Sequence, residues 1–209
     1  VDPTACKVDL FNNTTNVLIR SYTTFTEAVA GAASSGSRLE VYGKCTAGIE
    51  TGKSLVITGK RTATSGRPVL KAPPSSRVLS IKAGASVAIN TITIRGGQVT
   101  GSAPANQGGG IRNAGFLTLT SVIVRNNQAV DGGGIWTTNG AANTKLRLQG
   151  DTRIMRNTAS NNGGGVAVVR GTLEVVGRTE IEHDTAVNGG GIDGASATIT
   201  LGGFARVHD

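Results

Sequence analysis

A short glycine-rich string occurs four times in the second half of this chain and constrains the fold more than any other feature. Each copy reads Gly-Gly-Gly-Ile or Gly-Gly-Gly-Val, and the copies begin at Gly108, Gly132, Gly163 and Gly189, so they lie 24, 31 and 26 residues apart. A period of this size is typical of a solenoid, in which each repeat forms one coil of a stack. Glycine permits positive φ and has no side chain, so the string suits a sharp corner where one coil lies close on the next.

Short runs of alternating apolar and polar residues lie between the glycine strings. Period-two alternation predicts β-strands rather than helices. Residues 87–98 align without a gap with residues 117–128, which matches Arg95 with Arg125. With 31 glycines and 3% aromatic residues, the composition suits a thin stacked interior better than a wide globular core. The alternating runs are Leu117-Thr118-Leu119, Leu146-Arg147-Leu148, Leu173-Glu174-Val175 and Ile199-Thr200-Leu201.

Small polar residues precede the glycine strings at two distances and predict two hydrogen-bonded ladders along the stack. Amide side chains at the same place in successive coils can bond from coil to coil. The residues directly before the strings are Gln107, Asp131, Asn162 and Asn188. The residues about six places earlier are Asn126, Asn157 and Asp184.

The pattern I-x-x-N followed by N-x-GGG[IV] resembles the repeats of the chlamydial polymorphic membrane proteins and, more broadly, the right-handed parallel β-helix or pectin-lyase-like superfamily. The resemblance covers about residues 87–209, with GGG[IV] in place of the family's GGA[ILV] and Ile in place of Phe in F-x-x-N. It implies an all-β, right-handed parallel β-helix, for which we expect five to seven coils. The superfamily holds both polysaccharide-cleaving enzymes and non-catalytic surface adhesins, so the fold alone does not decide the function.

We expect a single β-helix domain over residues 1–209. Residues 1–23 are predicted to form an N-terminal arm, residues 24–35 a capping α-helix, and residues 39–209 the coils, without an evident C-terminal cap. Thr24 and Glu27 form a capping-box pattern at the start of the helix. An apolar helical face can cover the open end of a strand stack.

The two cysteines and the hydropathy of the chain bear on its location. A disulfide between Cys6 and Cys45 would tie the arm to the first coil and indicate an oxidising compartment. Two unrelated buried thiols are the alternative. No apolar run reaches the 18 residues that a membrane span requires. Together with the resemblance to surface adhesins, these features predict a secreted or cell-surface protein.

The net charge of +8 favours anionic partners, such as an acidic polysaccharide, a lipopolysaccharide or a surface protein. Solubility alone is the alternative explanation. A nucleic-acid partner is disfavoured because the cations are scattered along the strands and few aromatic side chains are present to stack on bases.

Trp136 is the first candidate binding residue, and it is the only tryptophan. If Ile135 points into the core, strand alternation turns Trp136 outward. An exposed indole beside an arginine and the predicted loop of residues 137–143 can hold a sugar ring by stacking and charge-assisted hydrogen bonds. The alternative is that the indole packs beneath its own loop. A second loop is predicted at residues 100–107. The expected neighbours of Trp136 in adjacent coils are Arg112, Ala167 and Asp193.

A basic column is the second candidate site, obtained by counting back from each glycine string. Cations at the coil spacing of about 4.8 Å would match an extended polyanion better than a small ligand. A solvated face and a catalytic role are the alternatives. The column contains Arg95, Arg125, Arg156 and His183.

The sequence assigns no catalytic residue, metal ligand or cofactor. The glycosidases of the superfamily use clustered aspartates and its lyases use calcium-binding acids with an Arg or Lys base, whereas the 13 acidic residues here form no D-D or D-x-D motif. Two histidines without an H-x-H motif disfavour a zinc site. The sequence therefore favours a non-catalytic, adhesin-like or structural protein that binds an anionic glycan or a protein. A polysaccharide lyase or glycoside hydrolase acting on an acidic polysaccharide is the alternative.

Overall fold

The computed structural model describes residues 4–62, 66–138 and 144–208 and forms a parallel β-solenoid of about six coils. Strands of successive coils pair in parallel along the whole stack. The prediction of an all-β solenoid with five to seven coils is confirmed, and its right-handed sense stays a prediction. Among the described residues, no helix has the length and apolar character needed to cross a membrane.

Most of the strands are short because each of them crosses a single face of the coil. In chain order they are β1 (Lys7–Asn12), β2 (Leu18–Tyr22), β3 (Ser37–Tyr42), β4 (Lys44–Thr46), β5 (Ile49–Thr51), β6 (Leu55–Gly59), β7 (Val69–Lys71), β8 (Leu79–Ile81), β9 (Ser86–Asn90), β10 (Thr93–Arg95), β11 (Ile111–Asn113), β12 (Phe116–Thr120), β13 (Ile123–Arg125), β14 (Gln128–Asp131), β15 (Ile135–Thr138), β16 (Lys145–Gln149), β17 (Arg153–Met155), β18 (Thr158–Asn162), β19 (Val166–Val175), β20 (Glu180–Glu182), β21 (Ile192–Leu201) and β22 (Arg206–His208). The helix of the described residues is α1 (Phe25–Gly31).

The stack has three faces. Face A contains β3, β6, β9, β12, β16 and the second halves of β19 and β21. Face B contains β4, β7, β10, β13, β17, β20 and β22. Face C contains β5, β8, β11, β15 and the first halves of β19 and β21. β14 and β18 pair in the turn that leads from face B to face C.

The core consists of apolar side chains stacked in register from coil to coil. Leu117 pairs with Leu146, Leu146 with Leu173, and Leu173 with Ile199, as the alternating runs predict. The three leucines are fully buried, and burying one such side chain stabilises the fold by about 1.5–3 kcal/mol. Ile199 is 39% exposed because it lies in the last described coil.

Helix α1 covers the first coil, which confirms its predicted capping role. Phe25 is fully buried, and the backbone N–H of Glu27 donates to the Thr24 hydroxyl at 3.3 Å, as expected for the capping box. The helix ends at Gly31 rather than at residue 35. Its last carbonyls accept hydrogen bonds from the ammonium group of Lys53, a favourable position for a cation at a helix C-terminus.

The N-terminal arm is a β-hairpin that covers the edge of face A. β1 pairs antiparallel with β2 on one side and with β3 on the other, so the first parallel strand has no open edge. The predicted disulfide is confirmed: Cys6, directly before β1, is bonded to Cys45 in β4, with their Cα atoms 4.7 Å apart.

The glycine strings form the corner between the β14–β18 turn and face C. Their first glycines have positive φ, at 62° in Gly132. The backbone N–H groups of Gly133 and Gly134 donate to the carbonyls of Gly163 and Gly164 at 3.1 and 3.0 Å. The corner of each coil therefore lies directly on the corner of the next, as predicted.

The first polar ladder lies on the surface directly before this corner, as predicted. The Asn162 amide donates to the Asp131 carboxylate at 2.8 Å, and the Asn188 amide donates to the Asn162 side-chain oxygen at 3.0 Å. Gln107 continues the row through its backbone pairing with Asp131.

The second polar ladder is buried and begins at Asn127, so the prediction of Asn126 is wrong. The amide nitrogen of Asn127 donates to the side-chain oxygen of Asn157, and the amide nitrogen of Asn157 donates to the Asp184 carboxylate, both at 3.0 Å. Asn126 is exposed and has a φ of 53°, which places it in the tight turn beside the ladder.

Candidate functional site

Three cations form a strip along the edge of face B, where each coil turns toward face C. Lys71 pairs in register with Arg95, and Arg95 with Arg125, which gives a repeat of about 4.8 Å. None of the three forms an ion pair within the described parts of the chain. We call Lys71, Arg95 and Arg125 the basic strip.

Lys71 was missed by the sequence interpretation. It follows Leu70 at the end of β7, in the same position that Arg95 occupies after Ile94. Both strands end in an apolar residue followed by a cation, and this shared pattern could have identified Lys71. The long irregular connections around β7 hide it, because no glycine string marks that coil.

Arg156 and His183 lie one place further along the turn than predicted. Met155, rather than Arg156, is in register with Arg125. The Arg156 carbonyl accepts a hydrogen bond from the backbone of Asn126, which places it in the adjacent row. Both side chains are exposed beside the strip, and His183 Nδ1 lies 3.6 Å from a carboxylate oxygen of Glu182. The prediction of one continuous column is therefore wrong, although all four residues lie along the same turn.

Some cations of the later coils differ from the strip because they have acidic partners. Arg153 donates to Glu180 through Nε at 2.8 Å and Nη2 at 2.5 Å, and this hydrogen bonding lowers the pKa of Glu180. Arg147 donates to Glu174 in the next coil at 2.9 Å. Cross-coil pairing of opposite charges is thus available in this fold, and the basic strip lacks it.

Trp136 lies in the outward row of face C, with the neighbours that the sequence predicts. It is in register with Arg112 and Ala167, and Ala167 is in register with Asp193. The Arg112 guanidinium carbon lies 5.3 Å from the indole centroid, a cation–π distance. The structure therefore brings together the two residues of the first candidate site.

The expectation of an exposed indole is wrong, since Trp136 is only 6% exposed. Arg112 lies over the indole ring. The Cβ atom of Trp136 packs on the corner glycine, since a Cβ added to Gly132 would lie 2.7 Å from it. Of the loop predicted at residues 137–143, Thr137 and Thr138 continue β15, and the remaining five residues lie outside the described part of the chain.

A cleft of about 440 Å³ lies between the outward row of face C and the first polar ladder. Its lining groups can donate to and accept from hydroxyls, because it combines amides, two carboxylates and the edge of the indole. The polar and aromatic residues that line it are Gln107, Asp131, Trp136, Asn162, Asn188 and Asp193. Within the described ranges, no three carboxylate, imidazole or thiol groups converge as a metal site would require.

No family model, curated protein or solved structure matches this chain. Membership of the pectin-lyase-like superfamily therefore stays a prediction, and the structural class that is shown is a parallel β-solenoid.

Proposed function

We propose that this protein is a secreted or cell-surface, non-catalytic β-solenoid that binds an extended anionic glycan along the basic strip. The observation that carries the proposal is the register of Lys71, Arg95 and Arg125 in three consecutive coils. Cations about 4.8 Å apart repel one another unless a counter-charge lies beside them. A linear chain bearing carboxylate or sulfate groups would supply a row of such charges.

The surroundings of the strip support this partner. The exposed side chain of Arg156 lies beside it and extends the positive surface toward later coils, and the exposed imidazole of His183 follows in the next coil. Parallel strands hold the backbone of the strip in place, so little backbone ordering would accompany binding. The Cys6–Cys45 disulfide fits an oxidising location, where acidic glycans occur outside cells.

Replacing Arg125 by glutamine is expected to weaken binding to a sulfated or uronic-acid polysaccharide by about tenfold, the value of one charge-assisted hydrogen bond. Glycan arrays would identify the polysaccharide, and titration calorimetry at two salt concentrations would measure the affinity. Binding should weaken as salt is raised, because both partners are charged.

Arg153→Gln is the matched control, since it removes the same charge from the same face but from a residue already paired with Glu180. Its affinity should stay within about twofold of the wild type, as expected for an exposed ion pair. Equal losses of affinity in both variants would show that net charge alone drives binding and would refute the proposal that the basic strip is the binding site. A lack of binding to any anionic glycan would favour contact with a surface protein instead.

A polysaccharide lyase or hydrolase is the second candidate, and one observation favours it. Asp131 and Asp193 line the same cleft beside Trp136, and paired carboxylates can act as general acid and base. Assays for new reducing ends and unsaturated products on acidic polysaccharides test this function. Turnover that is lost in Asp193→Asn but kept in Arg125→Gln would overturn the non-catalytic proposal.

A further inference from the structure

A second group of cations lies on face C, away from the basic strip. A pocket of about 320 Å³ is formed by β5, β8, the turn before β8 and the loop of residues 100–107. Hydroxyl groups dominate its polar lining, and one arginine contributes to it. These polar residues are Ser75, Ser76, Ser80 and Arg77, with Glu50 at one side.

Ser80 is a buried donor without a partner at the wall of this pocket. The side chain belongs to the outward row of face C, yet the residue is only 5% exposed. Its hydroxyl forms no hydrogen bond within the described residues. A buried hydroxyl left unpaired costs free energy, so a ligand oxygen at this position would stabilise the site.

Arg77 is held in place by the neighbouring loop and still has donors to offer. Its Nη2 donates to the carbonyls of Pro104 and Ala105 at 3.3 and 2.6 Å, whereas its buried Nε has no described partner. Burial lowers the pKa of Arg77, and the charge of Arg112 lowers it further. The guanidinium is therefore held in one position, and its positive charge is only partly compensated by neighbouring groups.

Arg112 supplies the second positive charge. It is in register with Ser80 on the adjacent strand, and its buried Nε also lacks a partner among the described residues. The nearest opposing carboxylate, Glu50, is exposed and lies 3.2 Å from the ammonium group of Lys82. Arg112 does not line the pocket, since its guanidinium lies over the Trp136 ring, but its charge acts on Arg77. A partly compensated guanidinium beside an unpaired hydroxyl is an arrangement that an oxyanion stabilises.

We propose that Arg77 and Ser80 bind a single tetrahedral oxyanion, the sulfate or phosphate group of an ester, in the field of the nearby Arg112 charge. Donors from Arg77 and Ser80, with the Ser75 and Ser76 hydroxyls at the rim, suit a group with oxygens in several directions better than a planar carboxylate. The site goes beyond the proposed glycan function because it lies on face C and takes one group rather than a row of charges.

The test titrates the full chain with inorganic phosphate, inorganic sulfate and acetate. Binding would be followed by the backbone amide shifts of Ser76 and Ser80 and by the fluorescence of Trp136, whose ring contacts Arg112. Saturable shifts are expected with phosphate and sulfate. Each of Ser80→Ala and Arg77→Gln should weaken them by at least about tenfold, the loss expected for a charge-assisted contact.

Arg125→Gln separates this proposal from the glycan function. It should weaken polysaccharide binding and leave phosphate binding unchanged, so each proposal can fail without the other. Ser80→Ala removes only a hydroxyl, and an unchanged melting temperature would show that its effect is not unfolding. Wild-type shifts that do not saturate, equal affinities in the Ser80→Ala protein, or acetate binding as tight as phosphate would each overturn the site.

Discussion

Gly133→Ala is expected to destabilise the solenoid by at least about 3 kcal/mol, because the added methyl group has no space in the corner. Its Cβ would lie 2.4 Å from the carbonyl oxygen of Thr158 and 2.6 Å from that of Gly164. Both atoms belong to the backbone of the next coil and accept or flank cross-coil hydrogen bonds. Relief therefore requires the coils to separate, and the melting temperature should fall by about 6–12 °C.

Gly66→Ala is the control for this substitution. A Cβ at Gly66 would meet no heavy atom of the described residues within 4 Å, so the methyl group should change the melting temperature by little. Thermal unfolding followed by circular dichroism would compare the two proteins. Similar melting temperatures for both variants would mean that the corner can relax and that close approach does not require glycine there.

The three glycines of each string have different roles. Gly132 adopts a positive φ, which a residue with a side chain adopts only with strain. Gly133 and Gly134 are instead required by contact, since a Cβ on Gly134 would lie 2.5 Å from the Gly165 carbonyl oxygen. One glycine would make the turn, and three allow the turn to stack on its copy in the next coil.

The register of the later coils could be predicted because it depends on repeated local chemistry. The gapless match of residues 87–98 with 117–128 corresponds to the observed pairing of Arg95 with Arg125. The shared position directly after each glycine string also gave the correct neighbours of Trp136. Both inferences used the repeat of the sequence from coil to coil, which the stack preserves.

Counting across the turn failed because the turn changes in length. β14 has four residues and β18 has five, and the pairing between them is irregular. One extra residue moves Arg156 out of register with Arg125, and for the same reason Asn127 rather than Asn126 aligns with Asn157. A β-bulge of this kind leaves no mark in hydrophobic periodicity.

The burial of Trp136 and the Arg77 pocket could not be predicted for a different reason. Alternation states which way a side chain leaves the strand, but whether it is then covered depends on contacts from other coils. Arg112 covers the indole, and the loop of residues 100–107 holds Arg77 through its carbonyls. Such contacts depend on the paths of irregular connections, which have no sequence period.

Asp184 has an unusual position at the end of the buried ladder. Asn127 and Asn157 use their amide nitrogens to donate to the carbonyls of Ile94 and Val124, at 3.3 and 3.1 Å. Val124 is in register with Ile154, so the equivalent group of Asp184 is expected to lie toward the Ile154 carbonyl.

The Asp184 oxygen that takes this place is Oδ2. A Cβ on Gly134 would meet the amide nitrogen of Asn157, and a Cβ on Gly165 would meet Oδ2 of Asp184, so the two atoms are equivalent. Oδ2 has no hydrogen-bond partner in the described structure. An ionised oxygen at this position could not donate to a carbonyl. A protonated Oδ2 can donate, as the amide nitrogens do.

Burial raises the pKa of Asp184 from its ordinary value of 3.8 to about 7, with a smaller contribution from the charge of Glu182. Hydrogen bonds from Asn157 act in the opposite direction. A carboxyl group with a raised pKa stabilises the fold fully below about pH 4. It loses that contribution as the pH rises to about 7, because the folded state then binds a proton that the unfolded state has lost.

Asp184→Asn is therefore expected to stabilise the protein at pH 8 by as much as about 4 kcal/mol, the value of a shift of this size, and to have little effect at pH 4. The asparagine would supply a permanent amide donor at the Oδ2 position and complete the ladder without a charge. Urea unfolding between pH 4 and pH 8 would measure the difference, with Asp151→Asn, at an exposed position, as the control. A stability difference that does not grow with pH would show that Asp184 is already ionised and solvated in the folded protein.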